Sequence, residues 1–290
     1  MDNILLIDFH NALWRASIGF APKKSAPPAD PWSGSAIVEP NKISDQFVIV
    51  FNFFRNLRPI IEQFSPDKCF CVLEGHPQFR YDLFPEYKAN RITKQASKKD
   101  TLDRFYASKD IVVNLLGYLP ITLARAANYE ADDLIATLCD NLKDEKLTVL
   151  SADNDYVQLL QRGYPNCQIY NPIKKVFMEA PDYPFIAGKC LLGDKSDNIP
   201  NLLGPKKALK TISSPELFAA FMEVEENKAN FNINRQLIEF RSIPEEEIVF
   251  KEGKKDFVKL KDEFAKMEFQ SIINDKSWAK YTSTFDCLKY

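Results

Sequence analysis

Nine acidic residues, gathered in a few short segments, are of a type that binds divalent metal ions. Each one alone has an ordinary structural explanation, as a strand-end acid, a helix N-cap or a turn residue. Packed together, they would repel each other and raise one another's pKa values unless cations neutralised them. The nine residues are Asp8, Glu74, Glu130, Asp132, Asp133, Asp153, Asp155, Asp194 and Asp197.

Hard divalent cations with oxygen ligands are the partners that such a cluster favours. Mg²⁺ is held by a few carboxylates together with waters and substrate phosphates. Two such ions about 3.5–4 Å apart stabilise both the attacking and the leaving oxygen of a displacement at phosphorus. The acids therefore predict phosphodiester hydrolysis with two Mg²⁺ ions, which Mn²⁺ should be able to replace.

Other hydrolytic and nucleotide-binding chemistries lack their motifs in this chain. Neither His10 nor His76 belongs to an HExxH pattern, and the sequence contains no GxxxxGK[ST] loop and no GxSxG segment. The sequence thus gives no support to a zinc peptidase, a P-loop ATPase or an α/β-hydrolase.

Three of the acids end short apolar runs that predict buried strands. The predicted strands are Asn3–Asp8, Lys68–Glu74, Leu119–Leu123 and Leu147–Asp153, and the helical patterns are Asp45–Phe64, Thr101–Leu116 and Glu130–Leu142. Their alternation predicts an α/β fold with a mostly parallel central sheet and helices on both faces. Ligands bind at the carboxyl ends of the strands in such sheets, so Asp8, Glu74 and Asp153 should converge.

The chain of 290 residues is long enough for one large core or two smaller ones. The strand signal fades after about residue 187, which predicts a catalytic domain at 1–187 and a mainly helical domain at 188–290. Five prolines in Ala21–Pro40 predict a loop. The sequence shows no CxxC pair, no secretory signal and no apolar run near the roughly 20 residues that span a membrane. We therefore expect a reduced, cytoplasmic protein.

Basic residues are concentrated in two segments, although the net charge is only −2. Five of them and no acid occur between Tyr87 and Lys99. A second segment, from Asn198 to Ser214, contains three lysines and again no acid. An acidic chain is an unusual nucleic-acid binder, but these local stretches are candidates for contacts with a phosphate backbone.

Six segments match the phage and bacterial 5′→3′ exonuclease and flap-endonuclease family in type and order. The chain resembles this family over roughly residues 4–210, and most closely its phage branch of the T-even ribonuclease H type. The resemblance implies a structure-specific 5′-nuclease that acts on 5′-flapped or branched DNA and on RNA–DNA hybrids, removing primers or flaps during replication. The segments are LLIDFHN (5–11), FRYDLFPEYKANR (79–91), YEADDLIA (129–136), LSADNDYVQLL (150–160), GYPNCQIYNPIKK (163–175) and LLGDKSDNIP (191–200).

The resemblance also implies roles for individual residues. Asp8, Asp153, Lys88 and Arg91 would be catalytic. Asp8, Glu130, Asp132 and Asp153 would surround the first metal ion, and Asp155, Asp194 and Asp197 the second, with Asp133 acting through water. Residues 84–112 would form a helical arch beside the 5′ single strand, in which Tyr87 would stack on a base or be a half-buried aromatic residue. The DNA contacts implied are Arg80, Tyr87, Lys88, Arg91, Lys94, Lys98, Lys99, Gly204, Lys206 and Lys207.

Two positions depart from the family pattern. Glu74 stands where the family usually has aspartate. The segment Asp197–Ile212 resembles a helix–three-turn–helix that binds the duplex backbone, often with a monovalent cation, but it contains a single glycine, Gly204. Amides at a helix start, with Lys206 and Lys207, would still bind phosphate. The sequence does not decide whether a monovalent cation binds there.

Two alternative functions are set against this interpretation. A PIN-type ribonuclease shares the sheet and some carboxylates, but such chains are usually shorter and lack the basic run and GDxxDN. A catalytically inactive DNA-binding scaffold would be expected to have lost acids at the metal positions, whereas this chain differs there only at Glu74. The expected protein is a monomer without a membrane partner, and a replication clamp or a single-strand-binding protein is a candidate partner.

Overall fold

The computed structural model describes residues 1–18, 43–91 and 99–289, so the predicted loop at Ala21–Pro40 lies outside the described residues. The chain forms two compact units, each built from three stretches. The first unit contains Met1–Phe9, Phe70–Lys99 and Leu123–Lys251, and the second contains His10–Cys69, Asp100–Thr122 and Glu252–Tyr290. A domain boundary near residue 187 remains a prediction.

Seven strands form a single mixed sheet. They are β1 Asn3–Asp8, β2 Lys68–Leu73, β3 Thr122–Ala126, β4 Lys146–Leu150, β5 Cys167–Asn171, β6 Val176–Phe177 and β7 Ile248–Glu252. Their order in the sheet is β6-β5-β4-β1-β2-β3-β7. The strand β4 pairs in parallel with both β1 and β5, whereas β5 and β6 are antiparallel.

Thirteen helices have both ends in the described ranges, besides short 3-10 turns. They are α1 Phe9–Ile18, α2 Val48–Phe64, α3 Gln78–Leu83, α4 Lys99–Leu116, α5 Ala131–Asn141, α6 Val157–Gln161, α7 Phe185–Leu192, α8 Pro205–Ile212, α9 Pro215–Glu223, α10 Glu225–Ile238, α11 Phe257–Lys266, α12 Gln270–Ile273 and α13 Asp275–Ser283. None of these helices is both long enough and apolar enough to span a membrane.

The core of the first unit holds the start of α5 against the sheet. Five of the six residues of β1 are buried, as expected for a central strand covered on both faces. The helix α5 packs on β1, and Leu134 and Leu138 belong to the same buried cluster as Ile4 and Leu6. This packing fixes the acidic segment that begins α5, because that segment is continuous with the buried helix.

Aromatic side chains dominate the core of the second unit. The ring of Phe264 has centroid distances of 5.1 Å to Phe54, 5.3 Å to Phe269 and 6.0 Å to Tyr281. Buried Asn52 donates to the carbonyl of Ala16 at 3.1 Å, which satisfies a polar group inside that core. All nine candidate metal-binding acids belong to the first unit instead.

The predicted fold class is confirmed, but two details of the prediction were wrong. The third strand is Thr122–Ala126 rather than Leu119–Leu123, because Leu119 and Ile121 are buried in the turn that precedes it. The strand β7 lies in a region expected to be helical. Most of its side chains are exposed at the edge of the sheet, so it leaves no buried apolar run for the sequence to reveal.

Candidate functional site

The hydroxyl of Tyr156 marks the place where acids from separate strand ends face one another. Tyr156 is buried, and its hydroxyl donates to Asp8 Oδ2 at 3.2 Å. Burial, together with the charges of Asp8, Asp132, Asp153 and Glu74, raises the pKa of Tyr156 well above its usual value. The acids that end β1 and follow β2 and β4 thus approach one position, together with an acid from the start of α5.

A capping box positions the acids at the start of α5. Glu130 is the N-cap residue, and its backbone N–H donates to Asp133 Oδ2 at 3.3 Å. Such reciprocal bonds satisfy donors that a helix start leaves unpaired. The carboxylate oxygens of Glu130, Asp132 and Asp133 lie within 4.8 Å of one another. Glu74 accepts a bond from the Ala131 N–H at 3.2 Å, which ties the end of β2 to the same helix start.

Arg80 lies in the interior of the first unit, shielded from solvent. Its side chain is 1% exposed and donates to Glu130 at 2.7 Å and to both oxygens of Asp133 at 2.6 and 2.8 Å. Its Nε donates to the carbonyl of Leu237 at 3.0 Å. The predicted DNA contact of Arg80 is therefore corrected to an internal one. Asp133 is fully buried with both oxygens bonded, so we propose that it orients Arg80 instead of a metal-bound water.

Tyr87, Lys88 and Arg91 connect the start of α5 to the acids of the GDKSDN segment. The Tyr87 hydroxyl donates to Glu130 at 2.9 Å and to Asp197 at 3.3 Å. Tyr87 is 3% exposed, so it is buried more deeply than the half-buried alternative, and its stacking on a base remains a prediction. Lys88 pairs with Glu130 and lies 3.7 Å from Asp197, and Arg91 donates to Asp197 at 2.5 Å. The two cations thus stand beside the acids, and their catalytic roles remain predictions.

The loop between α7 and α8 carries Asp194 and Asp197. Gly193 has a φ of 68°, and a Cβ there would lie 2.6 Å from the carbonyl of Ile199, so a glycine is required. A backbone bridge between Asp194 and Ile199 closes the loop. Buried Asn234 on α10 donates at 2.8 Å to a carbonyl of α7 and to another of the loop. These contacts fix the two aspartates on a rigid turn.

Lys189, which the sequence did not single out, joins two of the predicted metal ligands. Its Nζ donates to Asp155 and to Asp194, the second at 2.9 Å. Although burial opposes it, Lys189 and the hydrogen bonds from Ser196 hold the pKa of Asp194 at about 2. The acids that follow β4 and α7 are thereby brought together. A cavity of about 590 Å³ lined by these residues and Asp153 opens beside them.

The pKa values of the other acids indicate that a bound divalent cation would stabilise this cluster. Burial and neighbouring carboxylates raise the pKa of Glu74 to about 7 and that of Asp155 to about 6. They also raise the pKa of Asp132 well above its ordinary value. Raised values in a carboxylate cluster indicate negative charge that is not fully compensated. Because every donor is a hard oxygen, the residues are suited to divalent cations of the Mg²⁺ type.

Replacing Glu74 with glutamine should remove a pH-dependent loss of stability. Glu74 has a pKa of about 7 in the folded protein against an ordinary 4.5. The folded protein thus binds the extra proton in this window, and stability falls as the pH rises from about 4.5 to about 7. The whole difference amounts to about 3 kcal/mol. Urea unfolding in EDTA should show the stability of the wild-type protein declining relative to Glu74→Gln across this range. If the stabilities of the wild-type protein and Glu74→Gln changed in parallel with pH, the raised pKa of Glu74 would be contradicted.

The start of α8 presents the predicted duplex contacts to solvent. Lys206 and Lys207 are exposed in its first turn, and Gly204 is its N-cap residue. A Cβ at Gly204 would meet no atom within 4 Å, so the helix start is open on that side, and because Pro205 has no N–H, Lys206 and Lys207 carry the first backbone donors. Such amides beside ammonium groups suit phosphate. Lys94, Lys98 and the side chain of Lys99 lie outside the described residues.

Two further residues missed by the sequence analysis support Asp8. Ser151 Oγ donates to Asp8 Oδ2 at 3.0 Å, and Tyr156 donates to the same oxygen. Both residues flank Asp153 in the quoted segment LSADNDY, so that segment contained the signal. Lys189 had no comparable signal, because its partner Asp155 is distant in sequence and the contact depends on the fold.

Comparisons with known proteins point to 5′-3′ exonucleases. A 5′-3′ exonuclease of Bacillus subtilis (strain 168) is 34% identical over 190 residues, which are 60% of this chain and 61% of that protein. A DNA polymerase I of Mycobacterium bovis is 34% identical over 181 residues, which are 57% of this chain and 19% of that protein. The chain thus matches less than two thirds of the length of these relatives.

A solved structure and a family model complete the comparison. The bacteriophage T5 D15 flap endonuclease, in a complex with DNA and metal ions, has a TM-score of 0.61 at 15% identity, covering 98% of this chain and 97% of that one. At this identity the likeness shows the fold alone. The model for the N-terminal, resolvase-like domain of 5′-3′ exonucleases matches residues 3–183, more than half of the chain. With the acids of its motifs gathered at one edge of the sheet, the chain belongs to the 5′-3′ exonuclease family.

Proposed function

We propose that this protein is a structure-specific 5′-nuclease that hydrolyses phosphodiester bonds with two Mg²⁺ ions. The observation that carries the proposal is the group of carboxylates at the Tyr156 hydroxyl and the start of α5, in a chain of the 5′-3′ exonuclease family. These carboxylates come from three strand ends and one helix start, and all are hard oxygen donors. Such donors favour Mg²⁺ or Mn²⁺, whereas imidazole and thiolate ligands would suit zinc.

Two groups of acids would hold the ions. When bound, the ions would stabilise negative charge on the attacking and leaving oxygens of the phosphate. The chain contributes their ligands and keeps those ligands oriented through Tyr156, Tyr87 and the capping box. The first group is Asp8, Glu130, Asp132 and Asp153, with Glu74 close to it, and the second is Asp155, Asp194 and Asp197.

Lys88 and Arg91 would bind the phosphate that is cleaved. The Lys88 side chain is 13% exposed at the carboxylate cluster, and the Arg91 side chain is 48% exposed beside Asp197. Both groups can donate charge-assisted hydrogen bonds to phosphate oxygens. Their pairing with the acids would position them before a substrate arrives.

Branched or 5′-flapped DNA and RNA–DNA hybrids would be the substrates, in the removal of primers or flaps during replication. The names of the relatives support this choice, since one is a 5′-3′ exonuclease and another a flap endonuclease bound to DNA. The start of α8, with Lys206 and Lys207, would hold the duplex backbone without reading its sequence. The protein would act as a monomer in the cytoplasm, with a replication clamp or single-strand-binding protein as a partner.

A cleavage map tests the proposed function directly. Purified protein would be incubated with a 5′-flapped duplex labelled at either end, in Mg²⁺, Mn²⁺ or EDTA. We expect cuts near the base of the flap and along the 5′ strand with either metal, and none in EDTA. Cleavage of single-stranded RNA alone would favour a PIN-type ribonuclease. Binding of the flap without any cleavage would favour an inactive scaffold.

Lys88→Ala should slow cleavage and flatten its dependence on salt. A lost phosphate contact lowers the slope of log K against log salt by roughly 0.9 on a duplex and 0.7 on a single strand. Binding to the flap would be measured by fluorescence anisotropy in EDTA at several salt concentrations, and turnover in Mg²⁺. Lys88→Arg retains the charge and should keep most of the slope. A Lys88→Ala variant with both slope and rate unchanged would exclude Lys88 from phosphate binding.

A further inference from the structure

Lys189 places an ammonium group between two acids of the proposed second metal position. It lies on α7, and its Nζ donates to Asp155 and, at 2.9 Å, to Asp194 Oδ2. Its side chain is 16% exposed, and those of the two acids are 21% and 17% exposed. One acid follows β4 and the other follows α7, so a single cation joins two separate segments of the chain.

The same carboxylate oxygens cannot hold the ammonium and a small divalent ion together. Mg²⁺ requires oxygen ligands at about 2.0–2.1 Å in octahedral geometry. The ammonium is already within hydrogen-bonding distance of both acids, so an ion bound between them would bring two positive centres into close approach. The long, flexible stem of lysine allows the ammonium to move while α7 stays in place.

We propose that Lys189 is a built-in counter-ion that occupies the second cation position in the metal-free protein and is displaced when a divalent ion binds there. The existence of that ion rests on the proposed function, whereas the place of Lys189 rests on its contacts with Asp155 and Asp194. Lys189 would lower the affinity of this position for metal. It would also prevent repulsion between the two acids when the position holds no metal.

The first test measures Mn²⁺ binding in the absence of DNA, by following the electron paramagnetic resonance signal of the free ion. Lys189→Met should bind one Mn²⁺ on the order of tenfold more tightly than the wild-type protein, because it removes a unit charge at contact distance. Lys189→Arg keeps the charge and should stay close to the wild-type protein. Lys195→Met is the matched control, since it removes the same charge from an exposed residue of the Asp194 loop and should change the affinity much less.

The second test uses the wild-type protein, so it does not depend on the folding of a variant. Brief treatment with acetic anhydride, followed by mass spectrometry of peptides, reports how accessible each lysine amine is. Lys189 should react slowly in EDTA and at least several times faster with saturating Mn²⁺, whereas exposed Lys195 should react equally in both. A Lys189 reactivity that is unchanged or lowered by Mn²⁺ would overturn its displacement.

The outcomes separate this inference from the proposed function. Tighter Mn²⁺ binding by Lys189→Met, or faster acetylation of Lys189 with Mn²⁺, supports the counter-ion. Equal or weaker binding by Lys189→Met, with normal binding by the wild-type protein and weakened binding by Asp155→Asn, would overturn the role of Lys189 and leave the metal centre intact. Absence of Mn²⁺ binding by the wild-type protein would overturn the metal centre itself.

Discussion

Asp153→Asn should lower the rate of flap cleavage at least about a thousandfold while the protein stays folded. The charge of Asp153 acts on Tyr156 together with those of Asp8, Glu74 and Asp132, and in the proposed mechanism Asp153 binds the first metal ion. Loss of a metal-based stabilisation of transition-state charge costs several kcal/mol. Since each 1.36 kcal/mol changes a rate about tenfold, the loss should be roughly a thousandfold or more.

The fold should tolerate this substitution because asparagine can replace the local contact. Asp153 is exposed and caps a 3-10 turn by accepting a bond from the Asp155 N–H at 2.9 Å. Asparagine is as good a cap as aspartate. Asp8→Asn should lose activity to a similar extent, although its carboxylate is buried and holds two hydroxyl groups.

Single-turnover cleavage of a labelled flap in Mg²⁺ would measure the loss, with flap binding in EDTA and urea unfolding measured alongside. Asp144→Asn is the control, because it removes a charge from an exposed residue of the same unit. Near-normal turnover by purified Asp153→Asn would remove this residue from the metal centre.

Strand-end acids could be predicted from the sequence because their position depends on local pattern and on a general property of sheets. Asp8 closes an apolar run, and parallel strands bring their carboxyl ends to one edge. The acids at the start of α5 could be predicted equally well, because a helix start favours acidic residues whatever lies around it. For these residues the chain order and the apolar pattern were sufficient to predict a common site.

Charged residues inside the fold could not be placed in this way. Arg80 was predicted to contact DNA only from the family resemblance, but its partners Glu130 and Asp133 become its neighbours only in the folded chain. Burial of a charge depends on such distant partners, which no local pattern reveals. The ammonium of Lys189 and the hydroxyl of Tyr87 were missed or misjudged for the same reason.

The largest effect on stability is expected for Arg80→Met, which should lower the free energy of unfolding by about 3–5 kcal/mol. Removing one partner of a buried ion pair leaves the other charge uncompensated, and this costs such an amount. Asp133 would lose its bonds to both guanidinium nitrogens, and Glu130 would lose one. Because whole domains are stable by only about 5–15 kcal/mol, the variant should unfold at much lower urea concentrations.

A double substitution can show that the loss comes from the unpaired acid. Arg80→Met combined with Asp133→Asn should be more stable than Arg80→Met alone, because asparagine carries no charge while its Oδ1 can still accept the bond from the Arg241 N–H. Glu130 would keep its contacts with Lys88 and Tyr87. A double variant that is less stable than Arg80→Met would contradict the unpaired charge of Asp133 as the cause of the loss.

Arg235→Met provides the matched control in the same unit. Its pair with Glu239 is on the surface of α10, with side chains 55% and 36% exposed, and exposed pairs contribute about 0–1 kcal/mol. Urea unfolding in EDTA should therefore show a much larger loss of stability for Arg80→Met than for Arg235→Met. If Arg80 contacted DNA instead, Arg80→Met would leave unfolding unchanged and would flatten the salt dependence of flap binding. That pair of results would reverse the assignment, because an arginine free to reach phosphate cannot also be the buried counter-ion of Asp133.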